Sequence, residues 1–121
     1  MPYDIYKILH ILGLLLVFSS LGGVFVYVSN GGTKTENRLR KMVAITHGVG
    51  LILLLVSGFG MLAKLGISGF PFWVLVKLSI WLGIGALLFL GYRKPHLATR
   101  FWAVAVVAGV LAAVMGIYKI G

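Results

Sequence analysis

The chain offers little chemistry, and that little is concentrated in a few side chains: His10, His47, Lys77, Met61 and Met115, with Ser20 and Ser57 nearby in spacing. An imidazole can ligate a metal or bond across a helix interface. A thioether is a soft axial donor, and an ammonium pairs with a carboxylate. A His with a Met, or a His with an open position, is an ordinary environment for heme iron. His10, His47, Met61 and Met115 are therefore the candidate cofactor-binding residues, with His10 as the metal ligand, Lys77 as the catalytic candidate and heme b as the expected cofactor. The competing reading of both histidines is an interhelical hydrogen bond to a Ser or a backbone carbonyl. Met61 and Met115 are equally at home as core filler.

Other chemistry is excluded. There is no Cys, and the only acids are Asp4 and Glu36. The chain thus has no thiolate site, no carboxylate pair for acid/base work and no acidic proton carrier inside an apolar run. No phosphate loop, zinc motif or nucleophile constellation appears.

The elements that must position these residues are long and apolar. The chain has 121 residues, 60% hydrophobic and 11% charged, with mean hydropathy +1.07. Soluble domains carry about a quarter charged residues, so this is a membrane composition. One membrane domain, residues 1–121, is expected, with spans at about 5–28, 41–65, 72–92 and 99–118, each near the ~20 residues that cross a bilayer. The first run is too long for a leader's apolar region and lacks a basic start. Helices are required, because lipid leaves no backbone group unpaired. Short connections then predict an all-α, four-transmembrane-helix, up-down-up-down bundle. Ser29–Arg38 is a polar loop in which Thr35 is expected to cap the second helix and Glu36 to favour its first turn. Pro71 suits a helix start.

Two spans share one pattern. His10–Gly23 and His47–Gly60, offset by 37 residues, match at six of fourteen places: His, Gly, two Leu, Ser and Gly. Helical spacing puts His10, Gly13, Ser20 and Tyr27 on one face, and His47, Gly50, Ser57 and Lys64 on another. Polar stripes of this kind face the bundle interior. Folding the chain at its loop midpoints sets His10 level with residues 59–61, Lys77 and Met115, and His47 level with Gly22 and Gly23. The two histidines are then roughly 18 Å apart in depth at ~1.5 Å per residue, too far to share one heme within a subunit. Many of the seventeen glycines lie inside helices. They predict close helix packing and a homo-oligomer; glycines on the His face would alternatively leave room for a flat macrocycle.

Net charge is +9. The basic residues flank apolar runs, so their expected partners are anionic lipid headgroups in the bilayer rather than nucleic acid. Seven Lys and Arg lie in the first and third loops (Lys34, Arg38, Arg40, Lys41, Arg93, Lys94, Arg100). Four lie on the opposite side (Lys7, Lys64, Lys77, Lys119). The positive-inside rule predicts both termini outside a bacterial inner membrane. Tyr3, Tyr6, Trp73, Tyr92, Trp102 and Tyr118 fall where aromatic belts sit.

With Tyr6-Lys7-Ile8-Leu9-His10 opening the first span and Trp73-Val74-Leu75-Val76-Lys77-Leu78 opening the third, the chain resembles a group of small membrane proteins. These are the HemJ-type protoporphyrinogen IX oxidases, the SirB family and the CopD-like domains. The resemblance implies a b-type heme with His10 and Lys77 as the residues that matter. It also implies electron transfer or porphyrin chemistry, and a respiratory or heme-pathway partner. At the second span the chain departs from the oxidase, carrying His47-Gly48-Val49-Gly50-Leu51 and Ser57-Gly58-Phe59-Gly60. The other expectations weighed are a non-catalytic accessory or scaffolding subunit and a small-solute or anion conduit.

Overall fold

A computed structural model describes residues 3–67 and 69–118; Ser68 and Lys119 lie outside the described residues. Four helices follow one another: α1 (Tyr3–Ser29), α2 (Arg40–Lys64), α3 (Phe72–Arg93) and α4 (Ala98–Tyr118). A single 3-10 turn, Pro95–Leu97, leads into α4. All four are long and apolar enough to cross a membrane, and there is no strand among the described residues. The chain is a small multi-pass membrane protein built as an all-α four-helix bundle. Its spans start and stop within two residues of the expected limits.

The helix ends are chemically explicit. After α1, Gly31 takes φ +90°, Gly32 N–H donates to the Tyr27 carbonyl and Gly31 N–H to Val28. After α2, Gly66 takes φ +72°, Ile67 N–H donates to Leu62 and Gly66 N–H to Ala63. Both are Schellman closures, which need a left-handed residue and satisfy carbonyls that would otherwise be orphaned. Thr35 and Glu36, by contrast, do not open α2. The helix starts later, at Arg40, with no side-chain cap at Leu39. Asn37 makes the turn instead, its Oδ1 accepting from Leu39 N–H at 3.0 Å, while the Thr35 carbonyl accepts from Arg40. An Asn side chain mimics a backbone turn well, and that local bond displaces the expected cap. Pro71 precedes α3 in an extended conformation, its carbonyl taking the first helical N–H groups.

The bundle is organised around α1, which packs on all three other helices, whereas the backbones of α2 and α4 do not approach within 8 Å, Cα to Cα, among the described residues. Val17, Leu21, Val24, Phe25 and Val28 of α1 are buried in the main core with Ile84, Leu87, Ala98 and Ala105. Rings from α1 fill gaps left by glycines on its neighbours. Tyr6 lies over Gly60 of α2, Phe18 over Gly109 of α4 and Phe25 over Gly91 of α3. Without a hydrophobic drive between helices in lipid, such interlocking is what holds them together. At the basic end Asn37 Nδ2 donates to Tyr92 Oη at 2.8 Å, tying the first loop to α3.

Candidate ligand site at the terminal end of the bundle

The repeated pattern in α1 and α2 forms an antiparallel pair about a local two-fold. At its centre the helices nearly touch: a Cβ on Gly13 would stand 2.9 Å from the Gly50 carbonyl oxygen, and a Cβ on Gly50 2.9 Å from that of Gly13. Three residues to one side of Gly13, His10 Nδ1 meets Ser57 Oγ at 2.9 Å. Three residues before Gly50, His47 Nδ1 meets Ser20 Oγ at 3.3 Å. Each histidine therefore bonds the serine of the other repeat. Both serines also bond back into their own helices, Ser57 to the Leu53 carbonyl and Ser20 to Leu16 and Val17. Such back-bonding is how a hydroxyl is accommodated mid-helix.

The register differs slightly from the midpoint estimate. His10 stands opposite Ser57 rather than residues 59–61, and His47 opposite Ser20 rather than Gly22 and Gly23. The glycine closure at Gly31 and Gly32 turns the chain immediately after α1, so the crest of the loop precedes its midpoint. Ten residues of α2 separate His47 from Ser57, which puts the two histidines ~15 Å apart in depth.

What lies on the far side of each ring breaks the symmetry. His47 is 4% exposed, and its Nε2 faces the Gly85 carbonyl of α3 at 3.3 Å. A carbonyl only accepts, so Nε2 is the nitrogen that donates there, while Nδ1 meets the Ser20 hydroxyl. His47 is thus engaged at both nitrogens. At His10 only Nδ1 is engaged, by the Ser57 hydroxyl, and Nε2 makes no hydrogen bond among the described residues. An N–H bond that fixes the tautomer and leaves the second nitrogen basic is the usual preparation of a ligating histidine.

His10 borders a cavity of about 440 Å³ at the end of the bundle where α1 begins and α4 ends. All four helices line it. Met61 and Lys77 are in its wall, with Trp73, Trp81 and Phe59 among its aromatic surfaces. The cavity owes its breadth to α4, whose contribution is almost free of bulk: Gly109, Ala112, Ala113 and Gly116. Lys77 lies against that strip, its Nζ 2.9 Å from where a Gly116 Cβ would be. His10, Lys77 and Met61 are therefore brought to one place. Met115 sits at the same level but is buried with Trp73 and Val74. His47 is in the other half and does not border the cavity. The described residues contain no group of three or more His, Cys, Asp or Glu able to hold an ion by themselves.

Sequence reasoning missed Trp81. Its Nε1–H donates to the Leu51 carbonyl of α2 at 2.9 Å, pinning α3 to the hairpin beside the cavity. The signal was there: a Trp deep in an apolar run carries a donor that must find a partner. No protein-family model matches the chain, and neither a curated protein nor a solved structure matches it.

Proposed function

We propose that this protein binds a b-type heme in the terminal cavity for electron transfer or porphyrin chemistry, as a member of the SirB/HemJ-like group. The observation that carries the reading is His10, whose Nδ1 meets Ser57 while Nε2 makes no hydrogen bond among the described residues and, with the proton on Nδ1, would offer its lone pair at the edge of an apolar, aromatic-walled cavity. The residues present fit the group. The volume lies in the ~300–1,000 Å³ range of small-molecule sites. The donors are an imidazole and the Met61 thioether, and the Lys77 ammonium suits a propionate. His10 would ligate the iron, with the Met61 thioether as the second donor available in the wall. When bound, heme b supplies reversible one-electron chemistry at a potential set by its axial ligands and burial. The chain's own contribution is to orient His10 through Ser57, hold a carboxylate at Lys77 and exclude water with Trp73, Trp81 and Phe59. His47, engaged at both nitrogens, locks the helices instead. Met115 supports the wall from behind.

The Lys and Arg distribution supports a bacterial inner membrane location with both termini outside, which puts the cavity in the outer half. Anionic headgroups would meet the basic loops, and self-association and a respiratory or heme-pathway partner belong to the same proposal. Titration with hemin, followed by dithionite reduction, tests it. A Soret band with sharp reduced α and β bands is expected for the wild type and His47→Ala, and not for His10→Ala. A wild type that stays colourless would overturn the heme reading, and an accessory subunit held together by its His–Ser pairs would replace it.

A further inference from the structure

The local two-fold relates Tyr6 to Val43 and Gly23 to Gly60, the members of each pair standing 37 residues apart. At the end where α1 begins, the Tyr6 ring occupies the place where a Gly60 Cβ would stand. At the basic end the equivalent contact is not made. A Cβ on Gly23 would meet nothing within 4 Å, and the residue in the place of tyrosine is Val43, which has no ring to reach it. A groove of about 150 Å³ is left there between α1 and the start of α2, lined by Ser19, Ser20, Leu39, Met42, Val43 and Thr46. Space of that size holds a benzene-sized group, which is what Tyr6 supplies at the other end.

Three of the lining residues carry hydroxyls. Ser20 Oγ is engaged by Leu16, Val17 and His47, and Ser19 Oγ donates to Leu16. The half-buried Thr46 hydroxyl makes no hydrogen bond among the described residues. Leu39, two turns above Thr46, stands between Arg38 and Arg40, both exposed. Residues 34–41 hold four cations against one acid, Glu36. Of the charges at this end, Lys34 lies over the Tyr92 ring, Arg93 over the Phe89 ring, and Arg40 gives one N–H to the Thr35 carbonyl. A guanidinium has five N–H groups, so Arg40 keeps donors to spare.

We propose that this groove seats one anionic phospholipid of the bilayer, with its phosphate at Arg38 and Arg40 and the start of an acyl chain against Met42 and Val43. The Thr46 hydroxyl, ~10 Å deeper than Leu39, donates to an ester carbonyl. Charge complementarity selects the occupant, since guanidinium groups bind phosphate oxygens in a matched fork and basic pockets between membrane helices take anionic headgroups. A second copy in the same membrane orientation would set its own cations against these and is disfavoured. The inference rests on the reading that anionic headgroups meet the basic loops, gives that contact one defined seat, and is independent of heme.

Native mass spectrometry of the protein in mild detergent, titrated with phosphatidylglycerol or phosphatidylcholine, counts the lipids bound. One phosphatidylglycerol is expected to bind roughly 25-fold more tightly than phosphatidylcholine, at about fivefold for each of the two arginines. Arg38→Gln with Arg40→Gln should remove the preference, whereas Arg93→Gln with Lys94→Gln should leave most of it. Val43→Tyr, which copies the Tyr6 contact, should displace the tight lipid without changing any charge. Ser19→Leu narrows the same groove from an exposed position on α1 and should do likewise, so a folding defect in one variant leaves the other as the test. Circular dichroism checks that each variant is folded. Phosphatidylglycerol bound no better than phosphatidylcholine by the wild type would overturn the seat and the headgroup reading together. A preference that survives both groove-filling variants in folded protein, or that falls equally with the Arg93 and Lys94 pair, would overturn the seat and leave the headgroup reading. A dimer lost in Val43→Tyr with lipid binding unchanged would assign the groove to a second copy and overturn the proposal.

Discussion

Replacing Gly50 by alanine adds one methyl group where α1 and α2 come closest. The new carbon would stand 2.7 Å from Val17 Cγ2, 2.9 Å from the Gly13 carbonyl oxygen and 3.0 Å from Leu16 Cβ. Comfortable carbon contacts begin near ~3.5 Å, so the helices must separate by roughly half an ångström or more. A side-chain tip could swing aside, but the Gly13 oxygen and Leu16 Cβ are fixed to α1. Overpacking of this kind costs about 1–3 kcal/mol. The same separation stretches His47–Ser20, already 3.3 Å, out of hydrogen-bond range and weakens His10–Ser57. Interhelical bonds in membranes average ~0.6 kcal/mol each, which brings the expected loss to about 2–4 kcal/mol. Gly48, two residues away, is the control. A Cβ there meets no atom within 4 Å, so Gly48→Ala should be neutral or stabilising by up to ~1 kcal/mol through helix propensity. Equilibrium unfolding in mixed micelles, read by circular dichroism, measures both. A Gly50→Ala protein as stable as the wild type, or equal losses in both variants, would refute the close-crossing account.

Trp81→Phe keeps a ring beside the cavity but removes the donor to Leu51. It should cost about 0.5–1.5 kcal/mol in the same assay, and a neutral result would mean that the bond does not pin α3 to the hairpin. Asn37→Ala and Tyr92→Phe break the hydrogen bond between the first loop and the end of α3 from either side. A double-mutant cycle should give a coupling of at least ~0.5 kcal/mol, and additive losses would contradict the contact.

The four spans were legible because a bilayer imposes one length and one polarity, and apolar runs of that length leave little choice. The pairing of α1 with α2 was legible too, since His10, Gly13 and Ser20 recur at an offset of 37 and fall on one face. Which partner each residue would meet was not. A displacement of two or three residues in register decides whether His10 faces a serine or a phenylalanine, and that depends on how tightly Gly31 and Gly32 turn the chain. Nor could the sequence distinguish the two histidines, whose local settings are nearly identical. The difference comes from α3, which sets the Gly85 carbonyl against His47 and leaves space in front of His10. The cap expected at Thr35 was misplaced for a local reason, because Asn37 makes the turn before α2. The glycines read as packing residues divide in two. Gly13, Gly50, Gly91 and Gly109 accept a neighbour, while Gly22, Gly23, Gly48 and Gly83 face open space.

The central claim is that one histidine is satisfied within the bundle and the other presents a lone pair to the cavity. Nitrogen-15 NMR of selectively histidine-labelled protein, with His10→Ala and His47→Ala for assignment, reads this directly. The account predicts a neutral His10 protonated at Nδ1 with a pyridine-like Nε2, and a His47 protonated at Nε2. A His10 protonated at Nε2 would contradict it, because that nitrogen would then have no lone pair to offer a metal.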